Sequence, residues 1–141
     1  MLFAKEIFIE KLKQFNLGLE DRLTQKVGLL SGGQRQALTL LMATLQKPSF
    51  LLLDEHTAAL DPGTSKKVME ITSKIVEENK LTTIMITHKM SDAINYGTRL
   101  IMINKGKIVL DLNEEEKKKL TPEQLHKLFA DIQDKSFDVK L

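Results

Sequence analysis

The sequence contains no cysteine and no tryptophan, and only three prolines and one tyrosine among its 141 residues. Without cysteine, disulfides and thiolate metal centres are excluded, while the compartment stays open. Long apolar runs are also missing: none approaches the roughly eighteen residues a membrane-spanning helix requires. The opening Met1-Leu2-Phe3-Ala4-Lys5-Glu6 turns charged too early to form the apolar core of a signal peptide. A soluble, intracellular chain is the expectation. Charge is not one-sided either, with 21 Lys and Arg against 19 Asp and Glu and a net charge of +2. The basic residues are scattered, and Glu114–Glu116 runs directly into Lys117–Lys119. Such a pattern does not form a nucleic-acid-binding stripe, so no nucleic-acid partner is expected. What is present is a globular composition, 42% hydrophobic and 28% charged, which excludes global disorder. No internal repeat and no Pro/Gly/Ser-rich linker divides the chain.

Periodicity places the elements. Phe8, Leu12 and Phe15 fall at helical spacing within 2–15. A polar stretch ending at Ser31-Gly32-Gly33 follows. Helical spacing resumes at Gln34, with Ala37, Leu38, Leu41 and Leu45 on one face and Lys47-Pro48 as the stop. Phe50-Leu51-Leu52-Leu53 is apolar at every position and breaks into Asp54-Glu55, as in a parallel strand covered on both faces. Asp61-Pro62 reads as an N-cap with proline in the first helical turn. That helix is expected to bury Val68, Ile71 and Ile75 and to fade near Asn79. Residues 81–87 read as a second buried strand, followed by His88 and a short helix over 89–96 closing on Gly97. Residues 99–104 and 107–111 flank Lys105-Gly106, a hairpin signal. Glu114–Lys119 reads as a solvated helical face. Thr121-Pro122-Glu123-Gln124 combines a proline start with a capping box, ahead of an apolar face of Leu125, Leu128, Phe129 and Ile132. Strands alternating with helices indicate an α/β domain, in which chemistry gathers at the carboxyl ends of the strands, where Asp54, Glu55 and His88 fall.

Leu30-Ser31-Gly32-Gly33-Gln34-Arg35-Gln36 is the most informative segment. Ser31 can cap the helix while Gln34 bonds back to it. Two glycines allow close approach to the backbone, and the helix start offers N–H groups and positive dipole to an anion. The segment also suits an ordinary glycine-rich turn. Asp54 can hold Mg²⁺, directly or through water, beside nucleotide phosphates, and Glu55 can orient and deprotonate water. The same pair also suits a plain solvated acidic turn.

Taken in order, these segments resemble a known family, the ATP-binding-cassette (ABC) ATPases. Ser31-Gly32-Gly33-Gln34 resembles their signature motif, Phe50 to Glu55 their Walker B strand with its catalytic glutamate, Ala58 to Asp61 the D-loop, and Thr87-His88 the switch-histidine motif. Four motifs in the right order are far more specific than any one of them. Two positions depart from the pattern: His56 stands where the family usually has proline, and Ala58 where the D-loop commonly starts with serine.

The resemblance implies an α/β fold, part of the P-loop NTPase-like ABC core. Residues 1–47 would be a helical-subdomain portion with the signature motif, 48–112 a portion of the ATPase core, and 113–141 a helical tail. It further implies ATP and Mg²⁺ as cofactors, held between two ATPase domains packed head to tail. Ser31, Gly32 and Gly33 would contact the γ-phosphate bound by the partner domain, with Gln34 shaping the loop. Asp54 would serve Mg²⁺, Glu55 would activate water, His88 would steady the γ-phosphate, and Asp61 would link the two sites. Transmembrane permease subunits are the expected partners, with the ATPase peripheral at the cytoplasmic face of the membrane. The wording around the motifs is similar to importer-type ATPases, some of which accompany extracytoplasmic solute-binding proteins.

One motif is absent. A P-loop reads G-x-x-x-x-G-K-S/T, and the sole glycine pair at that spacing, Gly28 and Gly33, is followed by Gln34-Arg35. In the family the P-loop precedes the signature motif, so the sequence is expected to be the carboxyl-terminal portion of a longer ATPase, inactive in isolation and holding Mg-ATP weakly. Two other readings compete: a non-transport ABC ATPase, and a non-catalytic half-cassette that lends its signature helix to a partner. Retention of both Asp54 and Glu55 weighs against the last.

Overall fold

The computed structural model describes residues 2–135, which divide into two compact units meeting between Ile86 and Thr87. The first unit begins with helix α1 (Leu2–Lys13). Two short 3₁₀ turns, Glu20–Arg22 and Val27–Leu29, lead to helix α2 (Gly32–Thr44). Strand β1 (Phe50–Asp54), helix α3 (Pro62–Asn79) and strand β2 (Thr82–Ile86) complete it. Asp61 caps α3 with Pro62 in its first turn, as the local sequence dictates. Lys80 ends α3 in the left-handed region at φ 51°, its N–H reaching back to Glu77 and Val76 carbonyls.

β1 and β2 pair in parallel, with Leu52 opposite Ile84 and Asp54 opposite Ile86. One face of this ribbon builds the core. Leu51 and Leu53 pack with Leu12, Phe15, Leu19, Leu30, Ala37, Leu40 and Leu41, with Ile71 and Ile75 at the margin. The opposite face is bare. Phe50, Leu52, Ile84 and Ile86 are 46%, 68%, 52% and 52% exposed. The parallel pairing agrees with the sequence expectation, whereas the expected burial on both faces does not hold. A strand apolar at every position is buried on two sides only if two layers pack on it, and the helices of this unit supply one.

The second unit holds helix α4 (Met90–Asn95), strands β3 (Arg99–Asn104) and β4 (Lys107–Asn113), and helices α5 (Glu114–Lys118) and α6 (Pro122–Lys135). β3 and β4 form the expected antiparallel hairpin. Lys105 and Gly106 turn it with φ of 48° and 75°, the doubly left-handed geometry that matches strand twist. Ile94, Leu100, Met102 and Leu125 form the core, lined by Phe129 and Ile132. The Thr121–Gln124 capping box is present in both directions, at 2.8 and 3.3 Å.

α5 departs from the solvated face expected of it. Lys118 pairs with Glu114 in solvent, but Lys117 is fully buried. Its Nζ donates to the carbonyls of Ala93 and Tyr96, where α4 runs out of intrahelical donors. Burial pushes the Lys117 ammonium below the usual lysine range, with Glu114 opposing. Among the described residues, no helix is long and apolar enough to cross a membrane.

Candidate functional site

The first unit carries the candidate site apart from His88. Ser31 caps α2 in extended geometry (φ −65°, ψ 164°). Its Oγ accepts the Gln34 N–H at 3.3 Å, and Gln34 Oε1 accepts the Ser31 N–H at 2.9 Å. This reciprocal box satisfies two of the four N–H groups left over at a helix start. The N–H groups of Gly32 and Gly33 are the two the box leaves for another acceptor, at the positive end of the helix dipole. Gln34 Nε2 donates onward to the Leu17 carbonyl at 2.9 Å, and the Arg35 guanidinium donates to the Leu30 carbonyl.

The two glycines also answer a packing demand that the sequence did not reveal. A Cβ on Gly33 would overlap Thr64 Cγ2 in the first turn of α3, and one on Gly32 would lie 3.3 Å from Leu60 Cδ2. The signature segment therefore packs on the Leu60–Thr64 segment, which includes Asp61. Asp61 Oδ1 accepts the Thr64 N–H at 3.0 Å. Hydrogen bonds from the Thr64 side chain and then its backbone hold the Asp61 carboxyl below the ordinary aspartate range. Asp61 is exposed, but its carboxylate already serves as a helix cap.

Asp54 and Glu55 are both exposed at the carboxyl end of β1. Asp54 lies on the same face as Leu52 and Ile84 by strand alternation. Its carboxylate makes no hydrogen bond or ion pair among the described residues. Glu55 is left-handed at φ 45°, and its N–H donates to the Ile86 carbonyl at 3.0 Å while its own carbonyl accepts from Ala58 at 2.9 Å. Next in the chain, His56 turns inward, with Nε2 3.2 Å from Thr72 Oγ1 of α3. Thr57 beside it is buried. His88 belongs to the second unit and is exposed; the Oγ1 of neighbouring Thr87 accepts the Lys89 N–H at 3.1 Å.

No group of three or more potential metal-ligating side chains occurs among the described residues. A resident metal cage is therefore not what this donor set offers. One open carboxylate beside a second suits Mg²⁺ instead, which binds through one or two carboxylates and takes its remaining ligands from water and substrate phosphates. The helix start with two N–H groups to spare suits the phosphates themselves.

Comparison with known proteins falls on the same segments. The sequence profile described as ABC transporter matches residues 5–58, from α1 through the signature helix and β1 to Ala58. The chain belongs to the ABC ATPase family. It is 52% identical over 118 residues to the tyrosine transport ATP-binding protein of Clostridioides difficile (strain R20291), covering 84% of this chain and 47% of that one. To the phosphonates import ATP-binding protein PhnC of Lactococcus lactis subsp. cremoris (strain SK11) it is 39% identical over 116 residues, 82% of this chain and 47% of the relative. Among solved structures, the dimeric post-hydrolysis state of the ATP-binding cassette MJ0796 bound to ADP and Pi superposes with a TM-score of 0.63 and 32% identity, over 74% of this chain and 44% of that one. The ABC ATPase core expected from the sequence is thus the fold observed, in part. The chain spans about half the length of the curated relatives it matches.

Proposed function

We propose that this chain supplies the catalytic carboxylates and the signature helix of an ABC-transporter ATPase that hydrolyses ATP to drive solute uptake. The observation that carries the reading is the pairing, in one unit, of a capped helix start bearing two glycine N–H groups outside the capping box with a strand ending in the exposed carboxylates Asp54 and Glu55. Phosphoryl transfer depends on positioning and charge stabilisation more than on covalent chemistry, and these are the groups such positioning needs. Bound Mg²⁺ and ATP would bring Lewis acidity and the phosphoanhydride. Asp54 would hold the metal, Glu55 would take the proton from the attacking water, and His88 would steady the γ-phosphate. Ser31, Gly32 and Gly33 would receive the γ-phosphate of a second ATPase domain in a head-to-tail pair, with Gln34 shaping that loop and Asp61 at the junction. In this reading residues 1–47 contribute to the helical subdomain, 48–112 to the ATPase core, and 113–141 form the tail.

The relatives named for tyrosine transport and phosphonate import support an importer working with membrane permeases at the cytoplasmic face, with an extracytoplasmic solute-binding protein delivering the solute. The P-loop would come from the half of the cassette that the relatives have beyond the matched stretch. The test is ATP turnover by this chain joined to a P-loop-bearing amino-terminal half. Glu55→Gln should abolish turnover, since general bases contribute about 10²–10⁴-fold, while leaving an ATP-bound dimer. Near-normal hydrolysis by that variant would remove Glu55 from the base role.

A further inference from the structure

The turn that presents Glu55 is tethered to a distant element by the residue that follows it. Glu55 occupies the left-handed region at φ 45°, where a side chain meets steric resistance and the surroundings must hold it in place. Two backbone hydrogen bonds contribute, from Glu55 N–H to Ile86 O at 3.0 Å and from Ala58 N–H to Glu55 O at 2.9 Å. Both lie along the strand ends and the turn itself. His56 reaches elsewhere: its Nε2 is 3.2 Å from Thr72 Oγ1, in the third turn of α3. Thr72 is buried, and its hydroxyl donates to the Val68 carbonyl at 2.7 Å. A hydroxyl has one proton. With that proton spent on Val68, the oxygen faces His56 as an acceptor, so Nε2 is the donor.

We propose that His56 is a positioning residue for Glu55. Its ring pins the turn after β1 to the buried side of α3, and so fixes the direction in which the Glu55 carboxylate leaves the strand. Where a proline would restrict this position through its own ring, the histidine restricts it through a hydrogen bond to another helix. The importance of that direction rests on the reading of Glu55 as the base, but the tether is a property of this chain and is tested without turnover.

The experiment is residue-resolved amide hydrogen exchange on the 141-residue chain, comparing the wild type with His56→Ala, Thr72→Val and Thr72→Ser. Valine keeps the shape of threonine and removes the acceptor; serine keeps the hydroxyl. His56→Ala and Thr72→Val should each speed exchange at the Glu55 and Ala58 amides by about tenfold, the scale of one lost hydrogen bond. Ala37 and Leu41 in α2 should keep wild-type rates, as should every one of these amides in Thr72→Ser. If His56→Ala does not fold, His56→Gln, which can still donate from its amide, should restore slow exchange at Glu55. Unchanged exchange at Glu55 and Ala58 in His56→Ala, or equal acceleration at Ala37 and Leu41, would overturn the proposal. Turnover by Glu55→Gln would instead remove the base reading and leave the tether standing.

Discussion

Gly33→Ala separates the two demands that could fix glycine in the signature segment. Inside an unobstructed helix, the exchange should stabilise, since glycine costs about 0.5–1 kcal/mol relative to alanine. Here the new methyl would overlap Thr64 Cγ2. Thr64 cannot swing away freely, because its side chain and N–H both bond Asp61 at the start of α3. Overpacking of this kind costs about 1–3 kcal/mol, which outweighs the helical gain. Gly33→Ala should therefore destabilise the first unit by about 0.5–2 kcal/mol. Thr64→Ser supplies the control, because it deletes Cγ2 and keeps the hydroxyl, while Thr64 Cβ would stay 3.6 Å from the added methyl, an ordinary contact. In that background Gly33→Ala should turn neutral or stabilising. Urea unfolding of the four proteins gives a double-mutant cycle, whose coupling should reach about 1–3 kcal/mol. A Gly33→Ala chain as stable as the parent, with no coupling to Thr64, would refute the packing argument and leave ligand approach as the reason for glycine.

Two further outcomes follow from the same structure. Lys117 is buried with its pKa lowered, so between that lowered value and the ordinary 10.5 the unfolded chain binds more protons than the native one. Stability should rise with pH across this window and fall away as pH drops through the folded value. Lys117→Met should flatten the slope in urea titrations, and should cost about 1–3 kcal/mol for carbonyls left unpaired. A slope unchanged by the substitution would move its origin elsewhere. The bare sheet face should make the chain self-associate, because exposed apolar strands pair or stack. Sedimentation should show mass rising with concentration, and Leu52→Lys with Ile84→Lys should restore a monomer. A wild-type chain that stays monomeric throughout would contradict this.

What could be read from the sequence was what neighbours along the chain decide. Ser31 with Gln34, Asp61 with Pro62, Lys105 with Gly106, and Thr121 with Gln124 all form the local structures their residue types dictate. The capping box of Asn113 with Glu116, at 2.9 and 3.0 Å, is equally local, though its glutamate is one of a run of like charges. Features set by partners distant in the chain stayed hidden. Lys117 looks like any residue of a solvated run until α4 places two carbonyls above it. Gly33 looks like a ligand-binding glycine until α3 brings Thr64 against it. The inward turn of His56 needed Thr72, and nothing local announces that contact. The apolar run of β1 predicted two covered faces, because composition records what a strand tolerates rather than how many layers reach it. On the candidate site, order and spacing of the motifs nominate the residues, while commitments such as the Asp61 carboxylate to its helix cap depend on the fold.

The amide of Gln34 has one further consequence. Its oxygen accepts from Ser31 and its nitrogen donates to the Leu17 carbonyl, so the side chain is oriented from both ends. A capping box ordinarily takes glutamate as readily as glutamine. At this position glutamate would keep the first bond and set an anionic oxygen against a carbonyl oxygen. The fourth letter of the motif is thus already specified by hydrogen bonds within this chain. By tying the entrance of α2 to the Leu17 carbonyl, in the stretch that follows α1, it anchors the glycine-bearing first turn to a segment remote in the chain.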